Sequence, residues 1–412
     1  MILSILEYDK LYIRPKRDLS NNVISEQDAI ILQRLIRDNQ PIFKWENRCL
    51  IAQHWVGVID LPGFSIEILP KIAQKVDTDL CRDILTRMLL VTHSSFVMLK
   101  LPSSIKCNRN GLKEVLISLF LDALETYIKS GIINSYQKVQ SNTEVIKGRI
   151  LFSKQFKENA LAPTRFYCRY SKYISNNSIN QFFMSCLLQM SYVSRDNNNL
   201  QRIKIAKQCF VDVDIMDVRK ALGRKLSFNS INHSAAEAYD LGYMFLSSNF
   251  LALSAGNISI NSMLFDMNKL FETFMFRAIR QVYGGKAHYQ SRCNYMVEQI
   301  NNGKNFVKLR PDIIINNNSG NYIIDMKWKM PKSFPKESDV YQMNAYSTAI
   351  ANIKKVFLLY PKTSNSDILT GDYLLKSCVS ENRNFGIREI DLGLCTNWKV
   401  FIKEVKTLFG TL

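Results

Sequence analysis

The chain has 412 residues, 47% of them hydrophobic and 22% charged, which is more than one hydrophobic core usually carries and excludes both a lone small domain and a disordered chain. Lys and Arg number 54 against 36 Asp and Glu, a net charge of +18. Such an excess favours a polyanionic partner, either nucleic acid or an anionic membrane surface, with a merely solvated basic surface as the alternative. Up to about Pro70 the pattern is β-rich: Trp55 to Asp60 reads as a strand, Leu61-Pro62-Gly63 as a turn and Phe64 to Leu69 as a second strand. Apolar residues then recur at helical spacing from Thr78 to His93 and from Leu112 to Lys129, with Gly131 placed to stop the second helix. Residues 176–254 read as mostly helical, with loops expected at Asn176-Asn177 and from Asp196 to Asn199. Past Asn257 a long helix, strands, a second helix and further strands follow in the order of an α/β domain. The fold class expected is therefore α/β multidomain: a β-rich α+β N-terminal domain over 1–165, a helical middle over 166–255 and an α/β domain over 256–412.

No run of eighteen apolar residues occurs, since the stretch from Val115 to Leu121 is soon broken by Asp122 and Glu125, so no membrane span is expected. Met1 to Asp18 carries Glu7 and Asp9 and shows no apolar core ahead of a small-residue cleavage site, and a cytoplasmic location is expected. Nine cysteines, Cys49, Cys81, Cys107, Cys168, Cys186, Cys209, Cys293, Cys378 and Cys395, include no pair three residues apart, which suits reduced thiols better than a zinc or redox motif. His54, His93, His233 and His288 are too scattered for a zinc site and read as structural.

The chemistry is concentrated near residue 320. Asp312 precedes the β-branched run Ile313-Ile314-Ile315, a turn cluster spans Asn316 to Gly320, and Tyr322-Ile323-Ile324-Asp325-Met326-Lys327-Trp328 follows, which reads as a hairpin. Alternation along a strand puts Asp325 and Lys327 on one face, and the hairpin return brings Asp312 close to them. Two carboxylates are hard oxygen ligands suited to Mg²⁺, and an ammonium beside them can orient a nucleophile or neutralise charge on a scissile phosphate. The spacing alone is also that of a half-buried strand with a wet face. In the helix from Asp266 to Tyr283, Glu272 lies just beyond the edge of the apolar face and can look toward the hairpin. In the helix from Glu337 to Ala351, Gln342 and Tyr346 are four apart and share a face. An amide and a phenol there could hold phosphate or a metal's water shell, or form an ordinary amphipathic edge.

Together Pro311-Asp312, Asp325-x-Lys327, Gln342-x-x-x-Tyr346 and the helical Glu272 resemble the PD-(D/E)xK nuclease superfamily. Three further segments narrow the resemblance: Val56 to Ile72 is similar to the N-terminal signature of McrC-type proteins, Asn268 to Phe274 to their Leu-Phe-Glu helix, and Lys147-Gly148-Arg149-Ile150 to their mid-chain Gly-Arg element. Residues 166–254 match nothing assignable residue by residue. The resemblance implies a restriction-endonuclease-like domain over 256–412, with Asp312, Asp325, Glu272 and the main-chain carbonyl of Met326 holding Mg²⁺, or Mn²⁺ in its place. It further implies cleavage of modified double-stranded DNA by a subunit whose N-terminal domain docks on an AAA+ GTPase hexamer of McrB type. Dimers of nuclease domains or of whole complexes are compatible with this. The sequence contains no Gly-x-x-x-x-Gly-Lys-Ser/Thr loop, so nucleotide is expected on the partner chain and not on this one.

Two other functions compete. A catalytically silent DNA-binding or motor-activating scaffold would not need an intact Asp312, Asp325 and Lys327 set. A repair nuclease acting without a motor would not need the segment from Val56 to Ile72.

Overall fold

The computed structural model describes the chain apart from residues 38–39, 73–76, 94–110, 163, 224–225, 227, 229–232, 250–252, 256–257, 261, 291–294, 299, 301–304, 330, 332, 364–366, 377–381 and 411–412. It is a mixed α/β protein of two compact units, one made of Met1–Val115 with Leu251–Leu412 and the other of Leu116–Phe250. This division differs from the three consecutive segments expected, and the strand pairings below give the reason.

The first unit opens with β1 (Ile2–Leu6). The hairpin strands β2 (Trp55–Leu61) and β3 (Phe64–Leu69) turn at Pro62-Gly63, where Gly63 has φ +89°. Both hairpin strands are almost wholly buried: β2 is a near-continuous apolar run, while β3 alternates and buries Ser65 and Glu67 as well as its apolar residues. Strand β1 pairs parallel to β3. Beside this sheet lies a four-stranded one built from Lys10–Ile13, Val23–Ile24, Phe43–Glu46 and Cys49–Ala52, and the two share one apolar core around Leu11, Leu50, Phe64 and Ile66. Helix α1 (Thr78–His93) follows as expected, and α2 (Gly111–Ser130) begins one residue before and ends one after the expected span.

Glu67, fully buried in β3, anchors this region. It accepts from Arg82 Nε at 2.9 Å and Nη2 at 2.7 Å, from Ser4 Oγ at 2.8 Å and from the Leu112 N–H at 2.7 Å. One carboxylate thus joins β1, α1 and the first turn of α2. Burial acts to raise its pKa, but Arg82, with the Leu112 and Ser4 donors, holds the carboxyl below its ordinary value.

The second unit contains a three-stranded antiparallel sheet, β4 (Ser135–Thr143), β5 (Arg149–Ile150) and β6 (Phe166–Ile174), ordered β4-β6-β5. Its core comes mainly from the second half of α2, with Phe120, Leu124 and Tyr127 fully buried, and from the helices α3 (Ser178–Val193), α4 (Asn197–Gln208) and α5 (His233–Asn249). The expected boundary at 165/166 falls between paired strands, so the middle of the chain opens with a strand and not a helix. Asn177 caps α3 through its side chain, as a loop residue would. Asp196 caps α4, so Asn197 to Asn199 form the first helical turn where a loop was expected: Asn is a turn former, but behind an Asp cap its poor helix propensity is overridden. Tyr127 OH donates to Asn180 Oδ1 at 2.7 Å and accepts the Ile133 N–H at 2.8 Å, tying α2 to α3 inside this unit.

The chain then returns to the first unit. Strand β7 (Ser262–Asp266) pairs antiparallel with β2 and completes the order β1-β3-β2-β7. Gly57 makes this pairing fit: at φ +134°, a Cβ there would lie 1.9 Å from the Met263 carbonyl oxygen. Asp266, the expected first helical residue, is instead the N-cap of α6 (Met267–Tyr283). A six-stranded sheet follows, from β8 (Ala287–Tyr289), β9 (Ile313–Asn317), β10 (Gly320–Met326), β11 (Ile353–Pro361), β12 (Gly371–Leu375) and β13 (Arg383–Ile390), with α7 (Glu337–Ala349) crossing from β10 to its parallel neighbour β11. Its order is β8-β9-β10-β11-β13-β12. Ile314, Ile323, Val356 and Leu358 pack on Met343 and Tyr346 of α7. On the opposite side Phe357 meets Phe409 of α8 (Trp398–Phe409), and Phe274 of α6 meets Phe401.

Among the described residues no helix is long and apolar enough to cross a membrane. Six described cysteines are free thiols, while Cys107, Cys293 and Cys378 lie outside the described residues.

Replacing Arg82 with Met should strand Glu67 in the core and cost about 3–5 kcal/mol, seen as a lower urea midpoint. In the exposed pair of Arg165 and Glu144, 3.8 Å apart, Glu144→Ala should leave the midpoint unchanged. Since Glu67 is depressed in the folded chain, its contribution is present above its unfolded pKa and is lost as pH falls through the folded one. A midpoint in Arg82→Met equal to wild type would contradict this account.

Candidate active site

Asp312 stands immediately before β9, and Asp325 and Met326 close β10 on the paired strand. The register matches Ile313 with Ile324 and Ile314 with Ile323, so Asp325 shares the α7 side of the sheet with Ile323, as alternation requires. The Met326 N–H donates to Asp312 Oδ2 at 2.7 Å, which brings the two carboxylates together at the open end of the hairpin. Both are buried, Asp325 to 1% exposure and Asp312 to 8%.

Lys327 follows on the same side. Its Nζ pairs with Asp325 Oδ2 at 2.5 Å and donates to Gln342 Oε1 at 2.8 Å. Gln342 Nε2 in turn donates to Tyr346 OH at 2.7 Å, and that hydroxyl donates to the Arg310 carbonyl at 3.1 Å. The i, i+4 pair expected on α7 therefore forms. Tyr346 is 3% exposed, and its hydroxyl, turned onto the Arg310 carbonyl, braces the residues ahead of Asp312. Gln342 holds the ammonium.

Glu272, on α6, lies against Asp312 and accepts from Tyr289 OH at 3.0 Å and Gln290 Nε2 at 3.3 Å. Neither Tyr289 nor Gln290 was singled out in the sequence, where a short strand followed by a polar residue carries no signal. Gln290 has φ +42°, and its N–H donates to the Asp312 main-chain carbonyl at 2.8 Å, so one residue in a sparsely populated conformation ties the Glu272 carboxylate to the Asp312 backbone. Asp339 was also missed. Only 5% exposed, it pairs with Lys329 at 3.0 Å and adds negative charge behind Asp325.

Electrostatics follow from this crowding. Burial, the Asp325 charge and the hydrogen bond with Glu272 push Asp312 far above the usual carboxylate range, against the opposing Met326 N–H. Burial also raises Asp325, although Lys327 opposes it. Burial would lower Lys327, but Asp325 and Asp312 outweigh it and keep the group an ammonium. Among the described residues no group of three or more His, Cys, Asp or Glu side chains is arranged to hold a metal ion. Mg²⁺ needs only one or two protein carboxylates and takes its remaining ligands from water and substrate phosphate.

Mn²⁺ should raise the melting temperature of the wild-type chain and not that of Asp312→Asn combined with Asp325→Asn, because an ion bound only by the folded state stabilises it by mass action. An equal shift in both would place the ion elsewhere.

The family model described as McrBC 5-methylcytosine restriction system component matches residues 50–361. The structure is similar to the refined half-complex from the tetradecameric assembly of Thermococcus gammatolerans McrB AAA+ hexamers with bound McrC, with a TM-score of 0.69 and 18% identity over 99% of this chain and 100% of that one. It is also similar to a chain in the cryo-EM structure of the Thermococcus gammatolerans McrBC complex, with a TM-score of 0.51 and 19% identity over 68% of this chain and 87% of that one. Comparison with curated proteins gives no match. A family match running from the buried β2–β3 hairpin through the Asp312, Asp325 and Lys327 cluster covers most of the sequence, and the chain belongs to the McrBC 5-methylcytosine restriction system component family.

Proposed function

We propose that this chain is the Mg²⁺-dependent endonuclease subunit of a McrBC-like complex, hydrolysing phosphodiesters of modified double-stranded DNA with an AAA+ GTPase partner. The observation that carries this reading is the convergence of Asp312, Asp325, Lys327 and Glu272 at one end of a hairpin, with Gln342 holding the ammonium. A central sheet with parallel β10 and β11, a carboxylate-bearing helix ahead of it and a crossover helix between them supports a PD-(D/E)xK nuclease domain.

Asp312 and Asp325 would hold the ion, with Glu272 and the Met326 carbonyl as further oxygen donors. Bound there, Mg²⁺ or Mn²⁺ would polarise the phosphoryl oxygen and make a bound water more acidic. Lys327 carries a fixed positive charge aimed at the same point, where it neutralises charge growing on the scissile phosphate. Gln342 fixes the direction of that charge, and Tyr346 fixes Gln342. Gln290 and Tyr289 hold Glu272 against the pair. The +18 charge supplies affinity for the phosphate backbone without reading bases.

The motor partner is inferred from the T. gammatolerans assembly, described as McrB hexamers with bound McrC. It is also inferred from the sequence, which lacks a P-loop of its own. Nucleotide turnover then belongs to the partner ring, and cutting belongs to this chain.

The test is cleavage of methylated plasmid by the chain purified with its AAA+ partner. Asp325→Ala and Lys327→Ala should each lose cleavage by roughly a hundredfold or more, while still stimulating the partner's nucleotide hydrolysis. Mg²⁺ or Mn²⁺ should be required, with Ca²⁺ allowing binding without turnover. DNA affinity should fall steeply with salt. Undiminished cutting by Asp325→Ala, or in excess EDTA, would remove the proposed centre.

A further inference from the structure

Glu7 follows β1 directly and is fully buried. The Trp328 indole Nε1–H donates to both of its carboxylate oxygens, at 3.1 Å each, and the Lys71 N–H donates to Oε2 at 3.3 Å. Trp328 is the residue after Lys327, and its ring lies 5.4 Å from that of Phe271, the residue before Glu272. The Lys327 N–H is bonded to the Leu359 carbonyl at 3.0 Å and the Lys329 N–H to the Lys327 carbonyl at 2.9 Å. The indole is therefore the joint at which the strand end that carries the ammonium meets the helix that carries Glu272, and its direction is set by a carboxylate 321 residues away in sequence.

We propose that Glu7 is a positioning residue of the nuclease centre, fixing Trp328 and through it the placement of Lys327 relative to Glu272, so that the first strand of the N-terminal sheet governs the geometry of the cut. The inference rests on the endonuclease reading given above. Its energetic logic is that Glu7 is a poor choice for stability alone. Burial pushes its carboxyl up to about 8, against the opposing Trp328 and Lys71 bonds and with Asp266 adding to the rise. Between the ordinary value and that one the folded chain keeps a proton that the unfolded chain releases, so stability falls as pH rises through this window. A leucine would avoid that cost and could not aim the indole. A buried polar group that costs stability while setting one side-chain direction fits positioning, because small displacements of reacting groups are expensive in rate.

The experiment compares Glu7→Leu, which removes the acceptor, Glu7→Gln, which keeps one, and Trp328→Phe, which keeps the ring and removes the N–H. Single-turnover cleavage by the full chain with its AAA+ partner is measured beside Asp325→Ala. Melting temperature, DNA affinity in Ca²⁺ and the partner's nucleotide hydrolysis are recorded for each variant.

Glu7→Leu and Trp328→Phe should each slow cleavage by roughly tenfold or more. The double variant should be no slower than the slower single one, Glu7→Gln should recover most of the rate, and DNA affinity and partner stimulation should be unchanged. The melting temperature of Glu7→Leu at pH 8 should equal or exceed that of wild type. Wild-type cleavage by Glu7→Leu, with Asp325→Ala inactive, overturns the positioning role alone. A rate loss that tracks a fall in melting temperature, or that Glu7→Gln fails to recover, also overturns it. Full activity in Asp325→Ala overturns the endonuclease reading, and this inference with it.

Discussion

One short hydrogen bond organises the chemistry of this protein. The Met326 N–H reaches Asp312 Oδ2 at 2.7 Å, and it does so because the register pairs Ile313 with Ile324 and leaves Asp312 facing the end of β10. A slip of one residue would turn Asp325 and Lys327 to the opposite face of the sheet, away from Gln342. The buried isoleucines on both faces of the hairpin hold that register: Ile314 and Ile323 lie against α7, and Ile313, Ile315 and Ile324 are buried as well. Packing of apolar side chains thus decides where the charged ones meet.

What meets there is electrostatically unfavourable. Asp312 lies between Asp325 and Glu272, with Asp339 behind Asp325, and the repulsion is relieved partly by Lys327. Surrounding structure opposes the tendency to spread: the Tyr346–Gln342–Lys327 chain on one side, Tyr289 and Gln290 on the other, and the indole of Trp328 beneath. Crowded, buried carboxylates with raised pKa values cluster at functional sites.

The topology of the first unit explains why its two halves behave as one. Residues 262–266 supply the fourth strand of a sheet begun at Ile2, and Gly57 is what lets that strand approach. A chain cut near residue 165 would expose the edge of β2 and divide the β4–β6 sheet. The segment from Val56 to Ile72, which the family resemblance marks as distinctive, is mostly buried strand, with Pro62 and Gly63 exposed at its tip. Much of its character as a motif is therefore packing.

Local physics was legible in the sequence wherever a period or a cap dominated. The β2–β3 hairpin, α1, α2 and the Asp312–Asp325 hairpin follow from apolar alternation, helical spacing and turn residues, each of which acts within a few positions. The side of the sheet shared by Asp325 and Lys327 follows from the pleat alone. The sequence did not determine the division into units, because the pairing of β7 with β2 joins residues some two hundred positions apart through backbone groups that every residue possesses. Nor did it determine the supporting shell. Glu7, Gln290, Tyr289 and Asp339 belong to no local pattern, and Tyr346, correctly placed on one face with Gln342, spends its hydroxyl on the Arg310 carbonyl. Which partner a polar side chain finds depends on how separate elements pack, and only the tertiary structure decides that.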